Sequence, residues 1–292
     1  MHKYHITTQK FLLNTEKKYC KPRNSFLNQK SHQREGGGMK IYIFVNQKGG
    51  VGKTTSCINV GAGLAISGNN VLMIDTDPSG NLTTGTGVKI GDNDPTIYEV
   101  LKGTADINDA IRPSHSGNYD VLPADSILSG ATIEFSSVPG REMLLREAIE
   151  KIITKYDYIL IDAPRALDTL SIMGLTAAHA AIVPVQAQYY ALDGIAQLVE
   201  TISLIKKRMN HSLEIGGVLV TMYDRRKVSN RDVLESVQAA FPDRIYKTII
   251  GNYTALSEAP SYGKDIFSYK PKDKGALQYM ELVREILERE IQ

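Results

Sequence analysis

The chain has 292 residues, 42% of them apolar, which suits one large α/β domain and excludes a disordered or fibrous chain. Its two cysteines, Cys20 and Cys57, lack metal-ligand spacing and suggest a reducing compartment. No apolar run is long enough to span a bilayer, and the N-terminal lysines are followed only by Phe11-Leu12-Leu13, so neither a membrane span nor a secretory signal is expected and the reading is cytoplasmic. The formal charge of +2 hides an asymmetry: residues 1–38 hold eight of the 34 Lys and Arg but two of the 32 Asp and Glu, which leaves residues 39–292 four charges negative. Any nucleic-acid surface on that part must therefore be local.

Residues 1–38 show no sustained period and are rich in Lys, Asn, Gln, Ser and His, so they read as disordered. A basic arm that touches DNA is one reading. The preferred one starts from Glu35-Gly36-Gly37-Gly38, just before Met39, because codons for Glu-Gly-Gly can spell a purine run of the ribosome-binding kind. Residues 1–38 are then upstream sequence read in frame, the native protein begins at Met39, and the folded domain is 39–292.

Lys40-Ile41-Tyr42-Ile43-Phe44-Val45 reads as a buried parallel strand. Ser56 to Ile66 reads as a helix. Between them stands Asn46-Gln47-Lys48-Gly49-Gly50-Val51-Gly52-Lys53-Thr54-Thr55. Strand, glycine-rich turn, Lys-Thr and helix form the context of a phosphate-binding loop. Gly49, Gly50 and Gly52 let the backbone approach an anion, with successive N–H groups pointing inward and the helix dipole behind them. Lys53 is expected on the β- and γ-phosphates, and the Thr54 hydroxyl on Mg²⁺. Val71-Leu72-Met73-Ile74 is a second buried strand that delivers Asp75 and Asp77 to its C-terminal end, where an open parallel sheet binds ligands.

Residues 84–118 carry only a short helix near Thr96–Leu101, and Tyr119–Pro123 looks like a short strand. Arg141–Lys155 reads as one amphipathic helix, with Leu144, Leu145, Ile149, Ile152 and Ile153 on one face. Tyr156–Asp162 is a strand ending in a carboxylate, the arrangement that places Asp162 near Mg²⁺ through water. Ala180–Val185 is another strand, followed by a helix to about Arg208. Arg225-Arg226-Lys227, with Arg231 beyond, is a compact basic cluster between a strand and a helix, suited to phosphate backbones. Gly275–Gln292 is an amphipathic helix whose polar side sets Glu281, Glu285, Glu288 and Glu290 against Arg284 and Arg289. A membrane anchor needs a basic polar face, so packing on the sheet is the better reading. Together these elements predict a doubly wound, mostly parallel α/β sheet flanked by helices.

The second lysine of the loop, Lys48, makes it resemble the deviant Walker A motif of the ParA/MinD superfamily of P-loop ATPases. The resemblance implies that Lys48 crosses a dimer interface to the partner's nucleotide, in a homodimer sandwiching ATP. Lys48, Lys53 and Asp77 are then the catalytic residues. Asp75-Thr76-Asp77-Pro78-Ser79-Gly80-Asn81 resembles the family's Asp-x-Asp-Pro-Gln-Gly-Asn switch, with Ser79 where Gln is usual. By that match Asp75 supports the magnesium from behind its ligands, and Asp77 positions the attacking water. The family's Cys-Pro-Pro after the next aspartate is here Ala163-Pro164-Arg165. The stretches Gln186–Gly194, Gly216–Arg226 and Leu256–Lys264 resemble the Soj branch of ParA proteins.

That branch implies an ATPase of DNA partition, bound non-specifically to double-stranded DNA and released by a ParB-like partner, with no membrane involved. Arg225, Arg226, Lys227 and Arg231 are the DNA-contact candidates. The family often has Pro-Arg-Asn-Val-Arg where this chain has Gly251-Asn252-Tyr253-Thr254-Ala255. With both arginines missing, either DNA binding is weaker or Lys264, Lys270, Lys272 and Lys274 compensate. A MinD-like positioning switch and a transcriptional co-regulator are the alternatives. An iron–sulfur reductase of the same fold needs cysteines beyond Cys57, and there are none.

Overall fold

The structure, a computed structural model, describes residues 38–188 and 191–290. The expectation for residues 1–38 lies outside them, Gly38 excepted. Seven strands form one sheet: β1 (Lys40–Phe44), β2 (Val71–Asp75), β3 (Arg112–Pro113), β4 (Asp120–Leu122), β5 (Tyr158–Asp162), β6 (Ala180–Gln186) and β7 (Glu214–Thr221). Their order is β3-β4-β2-β5-β1-β6-β7, parallel throughout except for the two-residue β3. The longer helices are α1 (Lys53–Ile66), α2 (Asn81–Gly85), α3 (Ile97–Lys102), α4 (Leu144–Glu150), α5 (Thr169–Ala177), α6 (Ala191–Arg208), α7 (Val228–Ala240), α8 (Thr254–Glu258) and α9 (Lys274–Arg289).

The strands are apolar on both faces because both are covered. Alternation along each strand divides the core. Ile41, Ile43, Leu72, Ile74, Ile159 and Ile161 pack with residues of α4, α5, α6 and α7. Tyr42, Phe44, Met73, Tyr158 and Leu160 pack with α1 and α9. The register sets Phe44 and Asp75 on either side of Asp162, so the loop after β1 rises beside β5, with the two carboxylate-ended strands β5 and β2 side by side next to it.

Two predicted elements differ. The segment Arg141–Lys155 is not one helix. A single 3₁₀ turn at Arg141–Met143 leads into α4, and the chain then tightens through i→i+3 bonds such as Ile152 N–H to Ile149 O (3.0 Å) and Lys155 N–H to Ile152 O (2.9 Å). Those turns swing the backbone into β5 and rotate Ile153 into solvent, at 49% exposure, while Ile152 is buried. The first helix, conversely, begins three residues early, at Lys53.

The final helix packs against α1 as well as the sheet. Tyr279 OH lies 3.0 Å from Ser56 Oγ. A Cβ on Gly63 would stand 2.7 Å from Val283 Cγ2, so a larger residue there would push the two helices apart. Of its four glutamates Glu281 and Glu288 are exposed, whereas the other two are engaged. Glu285 accepts the backbone N–H groups of Lys247 (2.8 Å) and Thr248 (3.0 Å), and Glu290 accepts the hydroxyls of Tyr42 (2.5 Å) and Tyr158 (2.7 Å).

Candidate functional site

The loop between β1 and α1 turns at Gly50 (φ 74°) and Gly52 (φ 83°), left-handed positions that favour glycine. It is braced from two strands, β6 and β7, and by a bond within the loop itself. Asn46 Nδ2 donates to Pro184 O (2.7 Å), Asn46 Oδ1 accepts Lys48 N–H (3.0 Å), and Thr221 Oγ1 donates to Val51 O (2.8 Å). No side chain caps α1, whose first N–H groups, those of Lys53, Thr54 and Thr55, therefore stand at the loop. Backbone donors so placed are suited to an anion.

Lys53 is buried, 7% exposed. Burial pulls its ammonium below the usual lysine range; Asp162 and Asp77 oppose that, and Arg165 adds to it. Asp75 and Asp162 are fully buried side by side at the ends of β2 and β5. Asp75 is held by the Thr83 hydroxyl (2.8 Å), the Thr83 N–H (2.9 Å) and the Asp77 N–H (3.1 Å). Burial nevertheless pushes its carboxyl up to about 6. Asp162 Oδ2 accepts the Thr54 hydroxyl at 2.7 Å. Its Oδ1 is the one buried side-chain oxygen or nitrogen among the described residues without a hydrogen-bond partner. Burial, and then Asp75, push the Asp162 carboxyl well above its ordinary range.

An orphaned carboxylate oxygen next to a hydroxyl, with a second carboxylate alongside, is an all-oxygen donor set that fits a hard divalent cation. Among the described residues no group of three or more His, Cys, Asp or Glu side chains forms a metal cage.

The structure therefore gathers Lys53, Thr54, Asp75 and Asp162. Asp77 stands at the rim, half-buried, with its Oδ1 fixed by the Ser79 N–H (2.9 Å) and hydroxyl (2.8 Å). Lys48 points elsewhere, its Nζ on Gln188 Oε1 at 2.8 Å. Thr83, Thr221 and Gln188 were not singled out from the sequence. Each is a common polar residue whose partner lies 8, 170 or 140 positions away. No local signal marks such a pair.

Beside the first turn of α1 a cavity of about 70 Å³ is lined by Gly52, Thr55, Met222, Asn252, Tyr253 and Leu256 among others. Gly251, Asn252 and Tyr253 also border a larger groove, about 310 Å³, that reaches Arg225 and Arg226. Met222 has φ 52°, the one non-glycine residue with positive φ among those described. The basic cluster is exposed between β7 and α7. Asp224 grips Arg226 with both oxygens (Nε 3.0 Å, Nη2 2.9 Å), and that fork holds its carboxyl down at about 2. Arg225, Lys227 and Arg231 stand in solvent around it.

Residues 39–215 match the family model described as an AAA domain. The sporulation initiation inhibitor protein Soj of Bacillus subtilis (strain 168) is 45% identical over 247 residues, 85% of this chain and 98% of that one. The chromosome partitioning protein ParA of Caulobacter vibrioides (strain NA1000 / CB15N) is 42% identical over 254 residues, 86% and 95% of the two chains. The crystal structure of cobyrinic acid a,c-diamide synthase from Mycobacterium smegmatis, with bound ADP and magnesium, superposes with a TM-score of 0.77 at 33% identity, over 87% of this chain and 96% of that one.

Proposed function

The chain belongs to the Soj/ParA family of chromosome-partitioning ATPases, and on that premise we propose that it dimerises around ATP, binds DNA without sequence preference in that state, and is released when a ParB-like partner stimulates hydrolysis. The observation that carries this reading is the separation of two lysines in one loop. Lys53 is buried beneath the loop, among the carboxylates. Lys48 leaves its own loop for Gln188, a half-exposed direction suited to a second copy's nucleotide.

Phosphoryl transfer to water needs positioning and neutralised charge. The loop amides and Lys53 hold the phosphates of ATP. The base lies in the cavity beside Thr55, and Asn252 and Tyr253 close over it. Asp77, its carboxylate aimed by Ser79, orients the attacking water. Thr54 and Asp162 would hold magnesium, which would supply positive charge against the phosphate oxygens. Asp75 holds the end of the Asp75–Asn81 switch in place through Thr83. Arg225, with Arg226, Lys227 and Arg231, contacts DNA phosphates, and two copies on one duplex multiply a modest contact. A cytoplasmic, nucleoid-bound protein follows. Among the described residues no helix is long and apolar enough to cross a membrane.

The test is light scattering with DNA retention, in ATP, in ADP and without nucleotide. Wild type should form a dimer and hold DNA only with ATP. Lys53→Ala should do neither in any state, having lost the cation at the phosphates. Asp77→Ala should stay dimeric and DNA-bound without turnover, because ground-state binding does not use that carboxylate. A wild-type protein that stays monomeric in ATP, or holds DNA equally in all three states, overturns the reading.

A further inference from the structure

Arg165 follows β5 and is exposed, yet its side chain lies along the phosphate loop. A Cβ built on Gly49 would stand 3.3 Å from Arg165 Cδ, 3.5 Å from Nε and 3.8 Å from Cζ. Gly49 has no positive φ, unlike Gly50 and Gly52. Glycine there leaves room for this arginine rather than serving the turn.

The guanidinium is otherwise unengaged: among the described residues it has no hydrogen bond or ion pair. Arg112, Arg226, Arg244 and Arg289 are each tied to a carboxylate. The loop that carries it is fixed at both ends. Asp162 closes β5 on one side. On the other, Asp168 caps α5 by accepting the N–H groups of Leu170 (3.1 Å) and Ser171 (3.2 Å), and Ser171 Oγ donates to Ala166 O (2.5 Å).

Position along the loop decides what this cation can reach. The cavity beside α1 touches Gly52 and Thr55, whereas Arg165 touches Gly49. A nucleotide with its base in that cavity presents its outermost phosphate at the end where Arg165 lies over Gly49.

We propose that Arg165 reads the terminal phosphate of a nucleoside triphosphate held by its own chain, and so sets the preference for triphosphate over diphosphate. The inference rests on the ATP-site reading. A planar guanidinium takes two phosphate oxygens at once. Lys53 and Arg165 bring two positive charges to one loop, with Lys48 turned away to Gln188, and a third phosphoryl group offsets them. A diphosphate stops short of Gly49 and leaves Arg165 in water. Hydrolysis therefore removes this contact and frees the segment between β5 and α5.

The test is calorimetry on the full chain with magnesium, using a non-hydrolysable ATP analogue and ADP, for wild type, Arg165→Ala and Arg165→Lys. Arg165→Ala should lose about tenfold or more for the analogue and stay within about twofold for ADP, the scale of one charge-assisted contact. Arg165→Lys should recover part of the loss, keeping the charge without the fork. Equal losses for the two nucleotides, or no loss, overturn the proposal. So does an Arg165→Ala protein that binds both nucleotides normally but loses DNA, which makes the residue a DNA contact. Wild-type protein that binds neither nucleotide overturns the ATP-site reading, and this proposal with it.

Discussion

His179 sits where α5 gives way to β6 and ties the starts of three strands. Its N–H donates to Ile41 O (2.8 Å), its carbonyl accepts Glu214 N–H (3.0 Å), and its ring Nδ1 accepts the Ile41 N–H (3.0 Å). A ring nitrogen that accepts must be unprotonated. Burial first, then Lys40 and Arg146, lower the imidazole below its usual 6.5. The folded state thus favours the neutral ring. The stability it contributes is present above the unfolded value of 6.5 and is lost as pH falls through the lower folded value. The melting temperature of wild type should drop as the pH is taken from about 7 to about 5, and part of that drop should be missing in His179→Asn, whose side-chain oxygen accepts without titrating there. Matching curves for the two proteins would exclude the ring as the source.

Among elements, α9 carries the clearest stability prediction. Glu285→Ala removes the acceptor of two backbone N–H groups, those of Lys247 and Thr248, and one partner of Arg289. Leaving such donors unpaired should cost about 1–3 kcal/mol, read as a lower urea midpoint. An unchanged midpoint would make Glu285 the solvated charge its sequence context suggests. That contrast marks where the sequence is readable. The phosphate loop and the carboxylates that end β2 and β5 are local signals: glycines beside Lys-Thr, and apolar runs closing on Asp. The bonds of Glu285 and Glu290 carry no such signal, because their partners lie 37 to 248 residues away. The single long helix at 141–155 failed for a different reason. Its apolar spacing is real, but residues after Glu150 serve the turn into β5. β3, two residues long, is below what any period can reveal.

For the whole molecule the proposed function sets the problem of how a domain of net charge −4 would hold an acidic polymer. The ATP-bound dimer should bind unrelated duplexes alike, and its log affinity should fall linearly with log salt as counterions are released. Replacing Arg225 and Arg226 together by Glu should abolish retention and spare ATP-dependent dimerisation. Of the single changes, Arg225→Glu should weaken binding more, since Arg226 is already gripped by Asp224. Anisotropy over a salt series in three nucleotide states decides it; a flat salt response would remove phosphate contacts as the basis. One further property follows from how far apart along the chain the loop's supports lie. Val51 is braced by Thr221, and Ser56, in the first turn of α1, by Tyr279. Neither contact can form while the later residue is still inside the ribosome. The phosphate pocket is therefore a late product of translation, and a growing chain with α1 already outside still lacks the strand and helix that steady it.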